Sequence, residues 1–261
     1  MRNDTALVTG ASSGIGLELA RLLAANGHPL VVVGQDAERL SAASAQLRSE
    51  YHVPVTCYAR DLARVDGANE LWADIVKANI RIDVLVNNAG IGTYGEFHHQ
   101  PADLIERMQI LNVVALTTLT RLALPGMIER RHGRIMNVAS MVAYQPAGPR
   151  MAVYYATKSY VLSFSKGIAA ELAGTGVSVT ALCPGPTSSA FEQRSGAQQS
   201  RVYRLVPQMT PRAVARAGYR GMIRGRQVVI PGVLSKILAF AGELPPRAIG
   251  VAVNRILLKR M

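Results

Sequence analysis

Tyr154 and Lys158 stand four residues apart in a stretch, Val153 to Leu172, whose apolar spacing predicts a helix. At that spacing the two side chains share a face. A tyrosine hydroxyl titrates near 10 in the reference state, too high for easy proton exchange, and a neighbouring ammonium favours the phenolate and lowers that value. The pair therefore suits proton transfer to a nascent alkoxide, help of a kind worth about 10²–10⁴ in rate. Tyr155 lies three residues from Lys158 and is also within reach on a helix, so spacing alone leaves both tyrosines open. Ser140 follows a predicted strand, Arg134 to Val138, and Asn112 falls inside a long predicted helix, about Pro101 to Arg131. A buried amide there is costly without partners. Each residue has a plainer reading when taken singly: a surface pair, a turn residue, a helix irregularity.

A second constellation lies at the start of the chain. Thr9-Gly10-Ala11-Ser12-Ser13-Gly14-Ile15-Gly16 follows a short apolar run and opens a helical pattern ending near Gly27. Glycines let the backbone turn tightly and approach a ligand closely. The free N–H groups and positive dipole end of the following helix suit a pyrophosphate. A glycine-rich turn is a weak signal by itself. Its place between the first strand and first helix of a βαβ unit gives it weight.

The elements that must position these residues alternate. Strands are predicted at Thr5–Thr9, Leu30–Val33, Val53–Tyr58, Val84–Val86, Arg134–Val138, Val177–Leu182 and Val228–Ile230. Helices are predicted between them, including Ala37–Leu47, Ala63–Asn79 and one opening at Thr210-Pro211. Short, nearly all-apolar strands separated by helices imply an α/β fold: a single-domain, doubly wound parallel sheet of Rossmann type with helices on both faces. Such a sheet binds ligands at the carboxyl ends of its strands, where the motifs fall. Residues 1–261 are read as one domain, with 187–226 as a substrate lid and 233–261 as a basic helical extension broken at Pro245-Pro246.

The chain resembles the short-chain dehydrogenase/reductase family over residues 4–232. The resemblance rests on Thr9–Gly16, on Asn87-Asn-Ala-Gly90 after the fourth strand, on Asn112, Ser140 and Tyr154-x-x-x-Lys158, and on Pro184-Gly185 after the sixth strand. It implies a nicotinamide-dependent oxidoreductase that moves hydride between a cofactor and a carbonyl/alcohol pair. The family's spacing selects Tyr154 over Tyr155 as general acid. It implies that Ser140 polarises the substrate carbonyl, that Lys158 also bonds the nicotinamide ribose, and that Asn112 supports a water relaying protons to the lysine. The implied cofactor contacts are Gly10, Ser12, Ser13, Gly14, Ile15, Gly16, Gln35, Asp61, Leu62, Asn88, Ala89, Gly90, Tyr154, Lys158, Pro184, Gly185 and Thr187, with Asp61 on adenine (otherwise a helix N-cap) and Thr187 on the nicotinamide amide. No metal is implied. An acid at the end of the second strand would bind the NAD ribose; the family register puts Gly34 there, so NADP(H) is favoured over NAD(H), although Asp36 would repel a phosphate if it pointed inward. A homodimer or homotetramer through the two long helices is also implied.

Composition bounds the rest. With 49% apolar and 18% charged residues the chain is globular, and its two cysteines, Cys57 and Cys183, have no metal-ligand spacing. The N-terminus lacks the features of a signal peptide, which points to the cytoplasm. Residues 1–200 hold 17 basic and 16 acidic residues, whereas residues 201–261 hold 12 and one. Arg212, Arg216, Arg220 and Arg224 recur every four residues as a cationic stripe on a helix. Three readings stay open for this quarter: a solvated face, an anionic substrate such as an acyl thioester, or peripheral contact with an anionic inner membrane surface. Nucleic acid is not expected, because no reader motif is present. His98 and His99 read as surface residues near the cleft. The substrate is a small carbonyl or alcohol compound, a ketone or 3-oxoacyl group in the leading reading. An NAD-dependent secondary-alcohol dehydrogenase and a cofactor-sensing scaffold are the alternatives.

Overall fold

Along the first strand, β1 (Ala6–Thr9), side chains alternate between two buried layers, and every residue is shielded from water. Ala6 and Val8 join one layer with Leu19, Leu23, Leu40, Val214 and Met222, while Leu7 joins the other with Leu71, Ile75, Leu119 and Met127. A strand buried on both faces is mostly apolar, which is why these strands read as nearly continuous apolar runs. The computed structural model describes residues 4–201, 203, 206–243, 251, 254–256 and 258.

Seven parallel strands follow the order β3-β2-β1-β4-β5-β6-β7, built from β1, β2 (Leu30–Gly34), β3 (Val55–Ala59), β4 (Val84–Asn87), β5 (Gly133–Val138), β6 (Val177–Leu182) and β7 (Val228–Val229). The order reverses between β1 and β4, and a crevice opens at their carboxyl ends. Helices α1 (Gly14–Ala25) and α2 (Ala37–Tyr51) contribute to one face, and α3 (Gly67–Lys77) and α4 (Ala102–Glu129) to the other. α5 (Ala152–Glu171) packs on β6 and carries Tyr154 and Lys158 toward the crevice.

α4 is apolar and long enough, by length and composition, to cross a membrane, yet Met108, Leu116, Leu119, Ala123 and Met127 bury one side of it in the core. It is not uniform: Ile110–Ala115 is a π-helical segment. The segment 187–226 divides in two. Its first part lies over the crevice, where Thr187, Ser189, Phe191, Arg194 and Tyr203 line it, with the short helix α6 (Ala190–Ser195) and a bridge from Thr187 to Met209. Pro211–Ile223 is a further crossover helix, α7, started by Pro211 and capped by Thr210, whose hydroxyl accepts from Ala213 N at 3.2 Å. It packs on α1 through Val214, Ala215 and Met222 and leaves Arg212, Arg216, Arg220 and Arg224 exposed. The second half of the segment expected as a lid thus covers the sheet instead. Helix α8 (Val233–Glu243) follows β7. The break expected at Pro245-Pro246 lies outside the described residues.

Candidate active site

The crevice floor is made by the loops after β1 and β4, which are bolted together. Thr9 Oγ1 accepts from Asn88 N and Ala89 N, each at 3.0 Å. Asn88 Nδ2 donates back to Thr9 O at 2.9 Å and Gly10 O at 3.2 Å. This contact dictates a glycine: a Cβ at Gly16 would sit 2.3 Å from both Gly10 O and Asn88 Nδ2. Gly10 and Gly14 turn with φ of 66° and 60°. Ser13 precedes α1 without a side-chain cap, leaving the helix's first N–H groups aimed at the crevice. A narrow turn of bare backbone donors at a helix start fits the pyrophosphate of a dinucleotide.

From this turn the cleft extends both ways. One arm is lined by Ser12, Gly34, Gln35, Asp36, Arg39, Arg60, Asp61, Leu62 and Arg107. The other holds Ser140, Tyr154, Lys158, Pro184, Gly185 and Thr187, and the two arms share Gly10, Ser13, Ala89 and Gly90. Every expected cofactor contact lines one arm or the other except Gly16, which braces the turn from below. Asp36 does not threaten a phosphate as an isolated charge, because it caps α2 by accepting from Arg39 N at 3.0 Å and pairs with the Arg39 guanidinium at 3.1 Å. Asp61 is not the N-cap of α3, which starts six residues later. Its carboxylate accepts from Ala63 N at 2.9 Å and from Arg107 at 2.9 Å. Arg39, Arg60, Arg107 and Arg194 were not expected as lining residues. The acid–base i,i+3 pair Asp36/Arg39 was the one signal in the sequence for Arg39; Arg107 and Arg194 come from distant elements.

At the other arm, Ser140 lies two residues past β5 and accepts from Val142 N at 3.3 Å, so a short 3₁₀ turn begins on its hydroxyl. Tyr154 is buried, and its ring lies 5.5 Å from that of Phe191. Lys158 Nζ sits 5.8 Å from the centre of the Tyr154 ring and donates to Val138 O at 2.8 Å. Tyr155 also lines this arm, with its ring packed against Gly148. Burial pushes the Tyr154 hydroxyl up to about 12, and a side-chain hydrogen bond with Ser140 pulls it back. Burial also lowers Lys158 to about 8. The expected lowering of Tyr154 by an ammonium is thus outweighed, because desolvation disfavours both charges at once.

Asn112 lies in the π segment of α4 and does not line the cleft. Its Oδ1 accepts from Ile91 N at 3.0 Å, and its Nδ2 donates to Ile91 O at 2.9 Å and Thr157 Oγ1 at 3.1 Å. Thr157 in turn donates to Tyr154 O at 2.8 Å. The amide therefore ties the loop after β4 to the helix that bears Tyr154. Thr187 Oγ1 donates to Gly185 O at 2.9 Å. His98 and His99 are exposed, with Glu96 3.9 Å from each. Cys57 is exposed, and Cys183 is a buried thiol raised to about 12 by burial.

Sequence reasoning missed how the chain's last quarter reaches this arm. Leu238, Asn254 and Leu258 line it beside Met141, Met151 and Phe191. Leu258 O accepts from Tyr94 Oη at 2.7 Å and from Arg150 at 3.2 Å, and Asn254 Nδ2 donates to Ala147 O at 2.6 Å. By contrast, among the described residues none of Arg212, Arg216, Arg220 and Arg224 lines the cleft.

Known proteins are similar to this chain in sequence and fold. The family described as short chain dehydrogenase matches residues 4–200. A probable NADP-dependent dehydrogenase of Haemophilus influenzae is 37% identical over 192 residues, 71% of this chain and 72% of its own. The ketoacyl reductase HetN of a Nostoc species is 31% identical over 95% of this chain and 88% of its own. The solved structure of a short-chain dehydrogenase from Sphingobium yanoikuyae, in complex with NADPH, superposes with a TM-score of 0.82 at 34% identity, covering 96% of this chain and 95% of that one. With the parallel sheet, the glycine turn and the Ser140–Tyr154–Lys158 cluster in place, the chain belongs to the short-chain dehydrogenase family and is a nicotinamide-dependent oxidoreductase.

Proposed function

We propose that the protein reduces a ketone or 3-oxoacyl group on an apolar chain to the alcohol, using NADP(H). The observation that carries this reading is the convergence of Ser140, Tyr154 and Lys158 on one arm of a cleft whose other arm begins at the phosphate-suited turn. When bound, the dinucleotide supplies hydride to the carbonyl carbon. The Ser140 hydroxyl holds the carbonyl oxygen. Tyr154, with its hydroxyl held near 12, is protonated at neutral pH and gives its proton to the forming alkoxide. Lys158 meets the phenolate with its positive charge. Asn112, through Thr157, keeps α5 and the Ile91 loop in register.

Three features support NADP(H): the absence of an acid at Gly34, the compensated charge of Asp36, and Arg39 in the recess with Ser12 and Gln35. The NADPH complex of the similar Sphingobium protein agrees with this. The apolar walls of the catalytic arm, with HetN's printed activity, favour an acyl chain over a small polar substrate. We also place a homo-oligomer contact on α4 and α5, where Val114 and Tyr160 are exposed and the Tyr160 and Phe164 rings stack at 5.7 Å.

The test is NADPH oxidation against 3-oxoacyl-CoA thioesters of graded chain length beside simple ketones. Activity rising with chain length supports the acyl reading. Activity confined to simple ketones removes the thioester, and turnover only of secondary alcohols with NAD replaces the reading by its alternative.

A further inference from the structure

Helix α8 is built inside out for a helix facing water. Its buried positions are the small residues Ser235, Ala239 and Gly242. Its large apolar residues point outward: Val233 is 74% exposed, Leu234 42%, Ile237 58% and Phe240 67%. At 100° per residue these four fall on one continuous arc, and Ala241, also exposed, falls between them. Ile256, 60% exposed, adds to the apolar surface of the same region. It is tied to α8 through Gln145, whose Nε2 donates to Leu238 O at 2.8 Å and whose Oε1 accepts from Asn254 at 3.4 Å. Contiguous apolar faces of this kind mark an interaction surface rather than ordinary exposure.

The charges around the face identify the partner. Residues 233–261 contain five basic residues and one acid, Glu243. Lys236 and Arg255 are exposed beside the apolar arc. Lys166 sits 5.8 Å over the Tyr144 ring, and Tyr144 O abuts Gly242 on α8, which places a third cation at the far end of the helix. An apolar arc flanked by cations is the pattern of a helix lying in the interface of an anionic bilayer.

We propose that α8, with Ile256, seats the protein on an anionic membrane surface and turns the catalytic arm of the cleft toward the lipid. The inner side of the same helix carries Leu238, which lines the cleft together with Leu258. One element thus touches bilayer on its outer side and the reacting region on its inner side, so an acyl substrate partitioned in the membrane has a short apolar path inward. This orientation rests on the function proposed above, whereas the docking itself does not, and the test reads docking without turnover.

The protein is sedimented with vesicles of phosphatidylcholine alone and of phosphatidylcholine mixed with phosphatidylglycerol, at increasing salt. The expected result is capture by the mixed vesicles, at least tenfold stronger than by the neutral ones and weakening with salt as surface charges are screened. An Ile237→Asp/Phe240→Asp variant, folded by its thermal midpoint, loses at least a further tenfold. Phe240→Ser alone serves the same comparison if the double variant does not fold. No capture by phosphatidylglycerol vesicles at low salt overturns the proposal, as does equal capture of the variants. A fall in the protein's own assembly size in the variants, with vesicle capture unchanged, assigns the face to a second copy instead and also overturns it.

Discussion

At Tyr154 the decisive fact is that burial acts on the acid and on its cation together. The hydroxyl, held near 12, is a proton donor at every physiological pH, and Lys158, held near 8, is charged only below that value. Reductive turnover is therefore expected to hold steady below about pH 8 and to fall above it, as the ammonium that meets the phenolate is lost. Oxidation of the alcohol is expected to rise with pH, since it begins from the ionised tyrosine. Rate profiles in both directions check this, and a reductive rate that stays flat up to the ordinary lysine range would show that Lys158 does not titrate there. Tyr154→Phe is expected to lower turnover by about 10²–10⁴ while leaving NADPH binding intact. Tyr155→Phe is expected to keep most activity, because that side chain packs under Gly148 rather than beside Ser140. In the other arm, Arg39→Ala is expected to raise the KM for NADPH about tenfold and to leave the KM for NADH nearly unchanged, since a charge-assisted contact with phosphate is worth roughly 1.5–3 kcal/mol. Equal effects on both cofactors would remove Arg39 from phosphate recognition.

The elements explain which parts of this site were legible in the sequence. Apolar runs bounded by glycine and proline marked the strands to within a few residues, because a strand covered on both faces leaves few polar positions, here Thr9, Asn87, Asn137 and Thr180. The glycine turn and the four-residue spacing of Tyr154 and Lys158 were equally plain, since each is a contact within one element or across one turn. The π segment around Asn112 was not, because a widened turn leaves no periodic mark when the residues around it stay apolar. Nor were Arg107 and Arg194, or the return of Leu258 to Tyr94, which are contacts between distant parts of the chain. Asn112→Ala probes the π segment directly. It leaves both backbone groups of Ile91 without their partner and is expected to cost about 1–3 kcal/mol of stability, with a fall in kcat larger than any change in KM. Stability and kinetics unchanged together would show that the amide braces nothing.

Across the whole molecule, charge and apolar surface are unevenly distributed. The basic excess lies in residues 201–261, yet it serves two places: the exposed stripe of α7, remote from the cleft lining, and the surroundings of α8, which borders it. The stripe fits the solvated reading of the sequence, while the residues near α8 fit an interface. The homo-oligomer contact proposed on α4 and α5 predicts that Tyr160→Asp lowers the mass seen in light scattering toward that of a monomer, and an unchanged mass would contradict it. The central claim, that this fold positions Tyr154 to complete a hydride transfer from a bound nicotinamide, is tested most directly by measuring NADPH binding and 3-oxoacyl reduction side by side in the native protein and in Tyr154→Phe. The account predicts equal binding in both and turnover in the native protein alone. Undiminished turnover in the variant would contradict it.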